Sequence, residues 1–214
     1  EEGARFGVPC LGSRMLTGSA APEHVLGLRD RDGVTLAEAM AQAGTDPARS
    51  GPRPDLLAKL DSYVELHVEQ GRALAEVDAP VGVGSGIWPH GRWRLDLGGE
   101  GNHAGTTPML ARHDPMLTFA FAVLAANKEA REQGGLATIG RVWVGPNATN
   151  AIPARVRCWL DARAPDAAAL DALVAAIRAK VEERANRDGV GLTMIEESLS
   201  RAVVFDDKLV ECCA

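Results

Sequence analysis

Residues 92 to 195 alternate between two apolar periods, and this alternation limits the fold more than any other feature of the chain. Strand-like runs at 92–97, 137–144, 155–162 and 191–195 are interrupted by two stretches with helical spacing. The first stretch begins at Asp114-Pro115, where aspartate suits the N-cap and proline the first helical position. Its predicted apolar face is Leu117, Phe121 and Leu124. The second runs from about residue 166 to 187, with Leu170, Leu173, Val174, Ile177 and Val181 at helical spacing and Gly189 at the stop. The order β-α-β-β-α-β predicts an α+β, ferredoxin-like domain, in which four antiparallel strands pack two helices on one face. Many unrelated functions share that order, so it selects no chemistry.

Between the first strand and the first helix lies Gly98-Gly99-Glu100-Gly101-Asn102-His103-Ala104-Gly105-Thr106-Thr107-Pro108. Its glycines permit positive φ and close approach, and His103 is the side chain there that changes charge near neutral pH. A surface turn with an incidental histidine and a functional loop both fit this composition.

Upstream, Pro22 opens a predicted helix through Val25, Leu26 and Leu28 that ends at Asp32-Gly33. Thr35 caps a second, with Leu36, Ala39, Met40 and Ala43 on one face and Gly44 at its end. Residues 46–54 carry three prolines and form a connection. Strict alternation over 63–71 predicts a strand with Val64, Leu66 and Val68 towards the core and Tyr63, Glu65, His67 and Glu69 on the other face. That polar face fits either a solvated edge or a ligand site, and spacing alone does not choose. The glycine run at 82–86 predicts a hinge or interdomain crossing.

A 214-residue chain with 46% hydrophobic residues can bury a sizeable core. The net charge of −6 argues against nucleic acid or an anionic membrane as the main partner. No apolar run approaches the roughly 18 residues of a membrane span, and the first residues lack a signal-peptide layout, so the expected location is cytoplasmic. Cys10, Cys158, Cys212 and Cys213 show neither a C-x-x-C pair nor a regular spacing, which predicts reduced thiols.

Four clusters of unusual polar residues remain after the core is assigned: Glu1-Glu2, His67 with Gln70, the His103 loop, and residues 146–153 with Arg163. They lie within five blocks of sequence. These blocks are Glu1-Glu2-Gly3-Ala4-Arg5-Phe6, Glu65-Leu66-His67-Val68-Glu69-Gln70-Gly71, Gly101-Asn102-His103-Ala104-Gly105-Thr106-Thr107-Pro108-Met109, Asn150-Ala151-Ile152-Pro153 and Leu160-Asp161-Ala162-Arg163. In this order they resemble the dinuclear metal amidohydrolases that cleave ureido groups. That family includes N-carbamoyl-L-amino acid hydrolase, allantoate amidohydrolase and β-ureidopropionase, and is related to the aminoacylase and carboxypeptidase-like metallopeptidases. The resemblance implies a partial α/β metallohydrolase catalytic domain over 1–84, a lid and dimerisation domain over 85–198, and the start of a return to the catalytic domain over 199–214.

By the same resemblance, Glu1 corresponds to the general base, and Glu2 and His67 to metal ligands. Two divalent ions, zinc, manganese or cobalt, would polarise the carbonyl and lower the pKa of a bound water. Gln70 corresponds to a substrate-contacting amide. His103 corresponds to the lid histidine that donates to the developing oxyanion, reaching the site of a neighbouring subunit in a homodimer. Asn150 and Arg163 correspond to the clamp on the carboxylate of a small ureido substrate, a role that suits a planar guanidinium. Arg163 has a structural alternative as well, pairing with Asp161 or Asp166.

The chain also departs from the family pattern. It contains no His-x-Asp segment and no histidine after His113, whereas the family places further metal ligands upstream of the Glu-Glu pair and near the C-terminus. With an opening residue other than methionine and an ending at Cys212-Cys213-Ala214, it reads as a piece of a longer protein, expected to bind metal weakly or not at all and to lack hydrolase activity in isolation. The alternative is a non-catalytic ferredoxin-like module for dimerisation or amino-acid binding. RNA binding is disfavoured, because the strands lack paired aromatics and the chain is acidic.

Overall fold

The computed structural model describes residues 5–214. The chain divides into two compact units, Glu1–Gly71 and Arg72–Ala214. The first carries α1 (Leu11–Thr17), α2 (Pro22–Leu26), α3 (Leu36–Gln42) and α4 (Pro54–Leu57). Its small core is Phe6, Leu11 and Val25, with Leu28, Leu36 and Ala39 packed against them. Thr35 and Glu38 form a reciprocal capping box on α3, in which the Glu38 amide donates to Thr35 Oγ1 at 3.2 Å and the Thr35 amide to Glu38 Oε2 at 2.7 Å.

Two expectations for this unit are corrected. Helix α2 stops at Gly27, not at Asp32-Gly33, because the chain doubles back. Asp30 Oδ1 accepts the amides of Asp32 and Val34, and Arg29 bridges to Thr35. Residues 63–69 belong to no helix or strand, and Val64, Leu66 and Val68 are exposed. Alternation specifies which side chains share a face, but a strand also needs a neighbour to close its ladder. No such neighbour exists among the described residues.

The second unit carries α5 (Ala73–Glu76), β1 (Gly86–Ile87), β2 (His90–Gly98), α6 (Pro115–Gln133), β3 (Leu136–Gly145), β4 (Arg155–Arg163), α7 (Ala167–Asp188), β5 (Gly191–Ser200), β6 (Val203–Val204) and α8 (Asp207–Cys213). Four of its strands form an antiparallel sheet in the order β3-β4-β2-β5, as the β-α-β-β-α-β pattern predicts. Helices α6 and α7 cover one face. The two-residue strands β1 and β6 pair with each other, which sets the chain on either side of the four-stranded sheet side by side.

The core lies between sheet and helices. Trp93, Leu95, Cys158, Leu160 and Ala162 from the central strands meet Leu170, Leu173, Ile177 and Val181 of α7 and Ala122, Ala126 and Ala130 of α6. Burial pushes the Cys158 thiol up to about 12, so it packs as a small apolar group. Both long helices end in a left-handed glycine, Gly134 at φ 69° and Gly189 at φ 66°.

Helix α6 is rotated relative to expectation. Leu117 and Leu124, the anticipated core face, are 49% and 68% exposed. Thr118, Ala122, Ala125 and Ala126 point inward instead. Small side chains let the helix axis lie close to the sheet and to α7, and this excludes the larger leucines from the same side. The buried face also carries Glu129, which Lys180 of α7 contacts and to which Gln133 donates at 3.1 Å. The Lys180 hydrogen bond holds the Glu129 carboxyl below its ordinary value against the opposing effect of burial.

Leu173 is fully buried at the centre of this core. Leu173→Ala is expected to cost about 2–5 kcal/mol in chemical denaturation of the chain. No helix among the described residues is long and apolar enough to cross a membrane.

Candidate functional site

The central ladder does not stop at the end of the sheet. Beyond the last β2–β4 pair, Gly98 with Arg155, the Gly99 amide donates to Ala154 O at 2.9 Å. The Ile152 amide then donates to Asn102 O at 2.7 Å, and the Ala104 amide to Asn150 O at 2.9 Å. His103 and Ala151 form an isolated antiparallel bridge within this extension. Two loops far apart in sequence are thereby zipped together, carrying His103 and Asn150 side by side at one end of the sheet. Gly99 is required here, because a Cβ would overlap the His113 carbonyl.

His103 is held in a particular state. The Gly105 amide donates to its Nδ1 at 3.1 Å, so the neutral ring keeps its proton on Nε2 and offers that N–H as a donor. The loop around it is tied by Thr107, whose hydroxyl donates to His103 O at 2.9 Å. It is also tied by Arg112, a residue that sequence reasoning passed over. Arg112 Nη2 donates to Ala104 O at 2.7 Å and to Thr107 O at 3.0 Å, and its Nε to Thr107 O at 3.1 Å. The available signal was a fixed cation just beyond a loop, residues 101–111, in which His103 is the sole ionisable side chain.

Arg163 lies elsewhere. It ends β4 opposite His90, whereas the His103–Asn150 zip extends from the Arg155 end of the same strand. Eight strand steps of about 3.3 Å put roughly 26 Å between the two ends of β4. Arg163 Nε donates to Asp161 Oδ1 at 3.1 Å, and Asp161 Oδ2 accepts from Arg92 Nε at 3.2 Å. The structural pairing anticipated for Arg163 is therefore present, while its terminal amino groups stay free for a ligand among the described residues.

The remaining expected site residues belong to the first unit. His67 Nε2 lies 2.7 Å from Glu65 Oε1, and the Tyr63 hydroxyl donates to Glu65 Oε2 at 2.7 Å. The Tyr63 hydrogen bond, aided by His67 and opposed by burial, holds the Glu65 carboxyl below its ordinary value. Gln70 sits in the left-handed region at φ 55°. Glu1 and Glu2 lie outside the described residues. No group of three or more histidine, cysteine, aspartate or glutamate side chains able to hold a metal ion occurs among the described residues. Glu1 and Glu2 are not in that set, and the chemistry legible in the described residues is hydrogen-bond donation by His103 and positive charge on Arg163.

The family model for the peptidase dimerisation domain matches residues 90–189. The chain is 41% identical over 194 residues to an N-carbamoyl-L-amino acid amidohydrolase of Geobacillus stearothermophilus, covering 90% of this chain and 47% of that protein. It is 37% identical over 174 residues to an allantoate amidohydrolase of Escherichia coli, covering 79% of this chain and 41% of that one. A crystal structure of an amidase of the hydantoinase/carbamoylase family from Burkholderia vietnamiensis superposes with a TM-score of 0.84 at 31% identity, covering 99% of this chain and 51% of its own. The chain belongs to the hydantoinase/carbamoylase family of amidohydrolases. It spans about half the length of the curated relatives it matches. This amidohydrolase family is in general metal-dependent.

Arg112→Ala removes three hydrogen bonds from the His103 loop. Charged hydrogen bonds contribute about 1.5–3 kcal/mol each at most, so amide exchange at Gly105 and Thr107 is expected to accelerate by roughly ten-fold or more. Hydrogen-exchange NMR of the two proteins measures this, with helix α7 amides as the unchanged reference.

Proposed function

We propose that this chain is the central part of a metal-dependent amidohydrolase that cleaves the ureido C–N bond of N-carbamoyl amino acids or allantoate. Residues 1–84 would contribute a strip of catalytic domain, 85–198 the lid and dimerisation domain, and 199–214 the start of the return. Support comes from the relatives, which are hydrolases of such bonds by name, and from the match of residues 90–189 to a dimerisation domain. Glu1 is the proposed general base, and Glu2 and His67 are proposed ligands for one or both divalent ions; zinc, manganese and cobalt are the candidates. Those ions would supply carbonyl polarisation and an acidified water.

The observation that carries the reading is the placement of the three lid residues on one strand ladder. His103 would donate its Nε2–H to an oxygen that gains negative charge, and Asn150, beside it on the ladder, would add its side-chain amide. Arg163 supplies the planar cation for a carboxylate, but from the opposite end of β4. A substrate of amino-acid size does not span roughly 26 Å, so His103 and Arg163 of one chain cannot hold the same molecule.

A second copy resolves this. Strand β3 is an edge of the sheet, and exposed Leu117, Leu124 and Val142 lie along α6 and β3. A two-fold axis at that edge makes the two β3 strands antiparallel. Within each chain Leu136 sits beside Arg163, and Gly145 lies beside Arg155 at the start of the zip. Antiparallel pairing therefore brings the Arg163 end of one chain towards the His103–Asn150 end of its partner. Each site would take its carboxylate clamp from one chain and its oxyanion donor from the other, with Gln70 as a further substrate contact.

Two measurements test this reading. In light scattering, Leu124→Glu is expected to convert a dimer to a monomer, because a charge placed in an apolar interface lacks a partner. An unchanged dimer would move the interface to another surface. In the longer enzyme, His103→Ala and Arg163→Ala should each reduce kcat/KM for a carboxylate-bearing ureido substrate by about 100-fold or more. Co-expressing the two variants should restore about a quarter of wild-type activity, since half the dimers are mixed and each mixed dimer has one intact site. No restoration would mean that both residues serve the same chain's site.

A further inference from the structure

The sheet face opposite the helices is not apolar. Alternation along β2, β3 and β4 places Arg92, Arg94, Arg141, Arg155, Arg157 and Arg163 on it, against the carboxylates Asp96, Asp161 and Glu197. The chain as a whole carries −6, so this face is a local reversal of sign. Most of these charges are paired. Asp96 receives Arg94 at 2.9 Å and is contacted by Arg157, while Glu197 receives Arg94 and the Trp159 indole N–H. Burial raises the Asp96 carboxyl, but its two arginines outweigh that and hold it below its ordinary value.

Two arginines stand outside the pairing. The Arg155 side chain has no hydrogen-bond or ion-pair partner among the described residues, and Arg141 has no carboxylate. The Arg141 guanidinium carbon lies 4.1 Å from the centre of the Trp159 ring, a cation–π contact that uses none of its N–H donors on a carboxylate. Both line a groove of about 720 Å³ that also contains Trp143, Arg157, Trp159 and Asp96. Trp143 is 52% exposed there, its ring lying where a Cβ on residue 145 would overlap it, so Gly145 makes the space it occupies. The volume is that of a small-molecule site, too small for a folded partner.

We propose that this groove binds a small aromatic anion, with Arg155 taking the negative group and the aromatic plane lying against Trp143, towards Arg141. The charge balance argues for the anion. Three guanidinium groups face one carboxylate, and the two uncompensated ones, four register positions apart on adjacent strands, stand on either side of the Trp143–Arg157 pair. The exposed indole argues for the ring, since a purely inorganic ion makes no use of it. The inference does not depend on the hydrolysis proposed above.

The test uses the isotope-labelled 214-residue chain and follows the four indole N–H signals by NMR, with adenosine 5′-monophosphate as the probe. Expected is a saturable shift of Trp143 and Trp159 while buried Trp93, on the helix side, stays in place. Adenosine and inorganic phosphate should each bind at least ten-fold more weakly than the nucleotide. Arg155→Ala should weaken binding ten-fold or more, and Trp143→Ala should do so separately, whereas Arg92→Ala, at the far end of the same face, should not. Spectra of the variants verify folding, and because Arg155 and Trp143 are exposed, at least one variant reports on the groove. Absence of a saturable shift at millimolar probe overturns the proposal. So does equal binding of adenosine, equal binding of phosphate, or insensitivity to both substitutions.

Discussion

The nine-residue antiparallel register between β2 and β4 is the constraint on which the rest of the second unit depends. It fixes which side chains face the helices, and it continues past the sheet through Gly99, Asn102 and Ala104 into the loop that holds His103. Because antiparallel strands run in opposite directions, the same ladder that gathers His103 and Asn150 at one end sends Arg163 to the other. Separation of the proposed clamp from the proposed oxyanion donor is thus a consequence of strand direction and not of loop placement.

Packing on the helix side has an equally direct consequence. Alanines and Thr118 of α6 lie against the sheet, and α7 supplies the bulky residues Leu170, Leu173, Ile177 and Val181. Small residues opposite large ones fill the layer at close axis spacing. The leucines of α6 that find no room inside are left on the outer face beside the free edge of β3. One choice of core side chains therefore settles both the interior and the apolar surface on which a second copy can sit. The opposite sheet face, away from α6 and α7, carries six arginines against three carboxylates.

The sequence was a good guide to the second unit. All four main strands and both long helices were legible, since capping residues and long periodic runs are local signals. It was a poorer guide where the outcome rested on a partner segment. The alternation at 63–69 was real but found no neighbouring strand, and the Leu117–Leu124 stripe was read as core although the alanines won that position. For the candidate site, the blocks that carry His103, Asn150 and Arg163 stood out in the sequence, and the roles given to these residues are proposals. Arg112 did not stand out, because its value lies in reaching two backbone carbonyls across a turn.

By itself, the sequence determined the order of elements, the caps, and which residue types stand at the ends of β2 and β4. Those properties follow from local periodicity and backbone preference. The tertiary structure decided that His103 and Asn150 meet, that His103 presents Nε2–H, that Arg163 stands at the far end of the same ladder, and that α6 turns its leucines outward. Apart from the His103 ring, which the Gly105 amide two residues on orients, these depend on contacts between distant segments, whose distance and direction are set only when the sheet closes and the helices compete for its face.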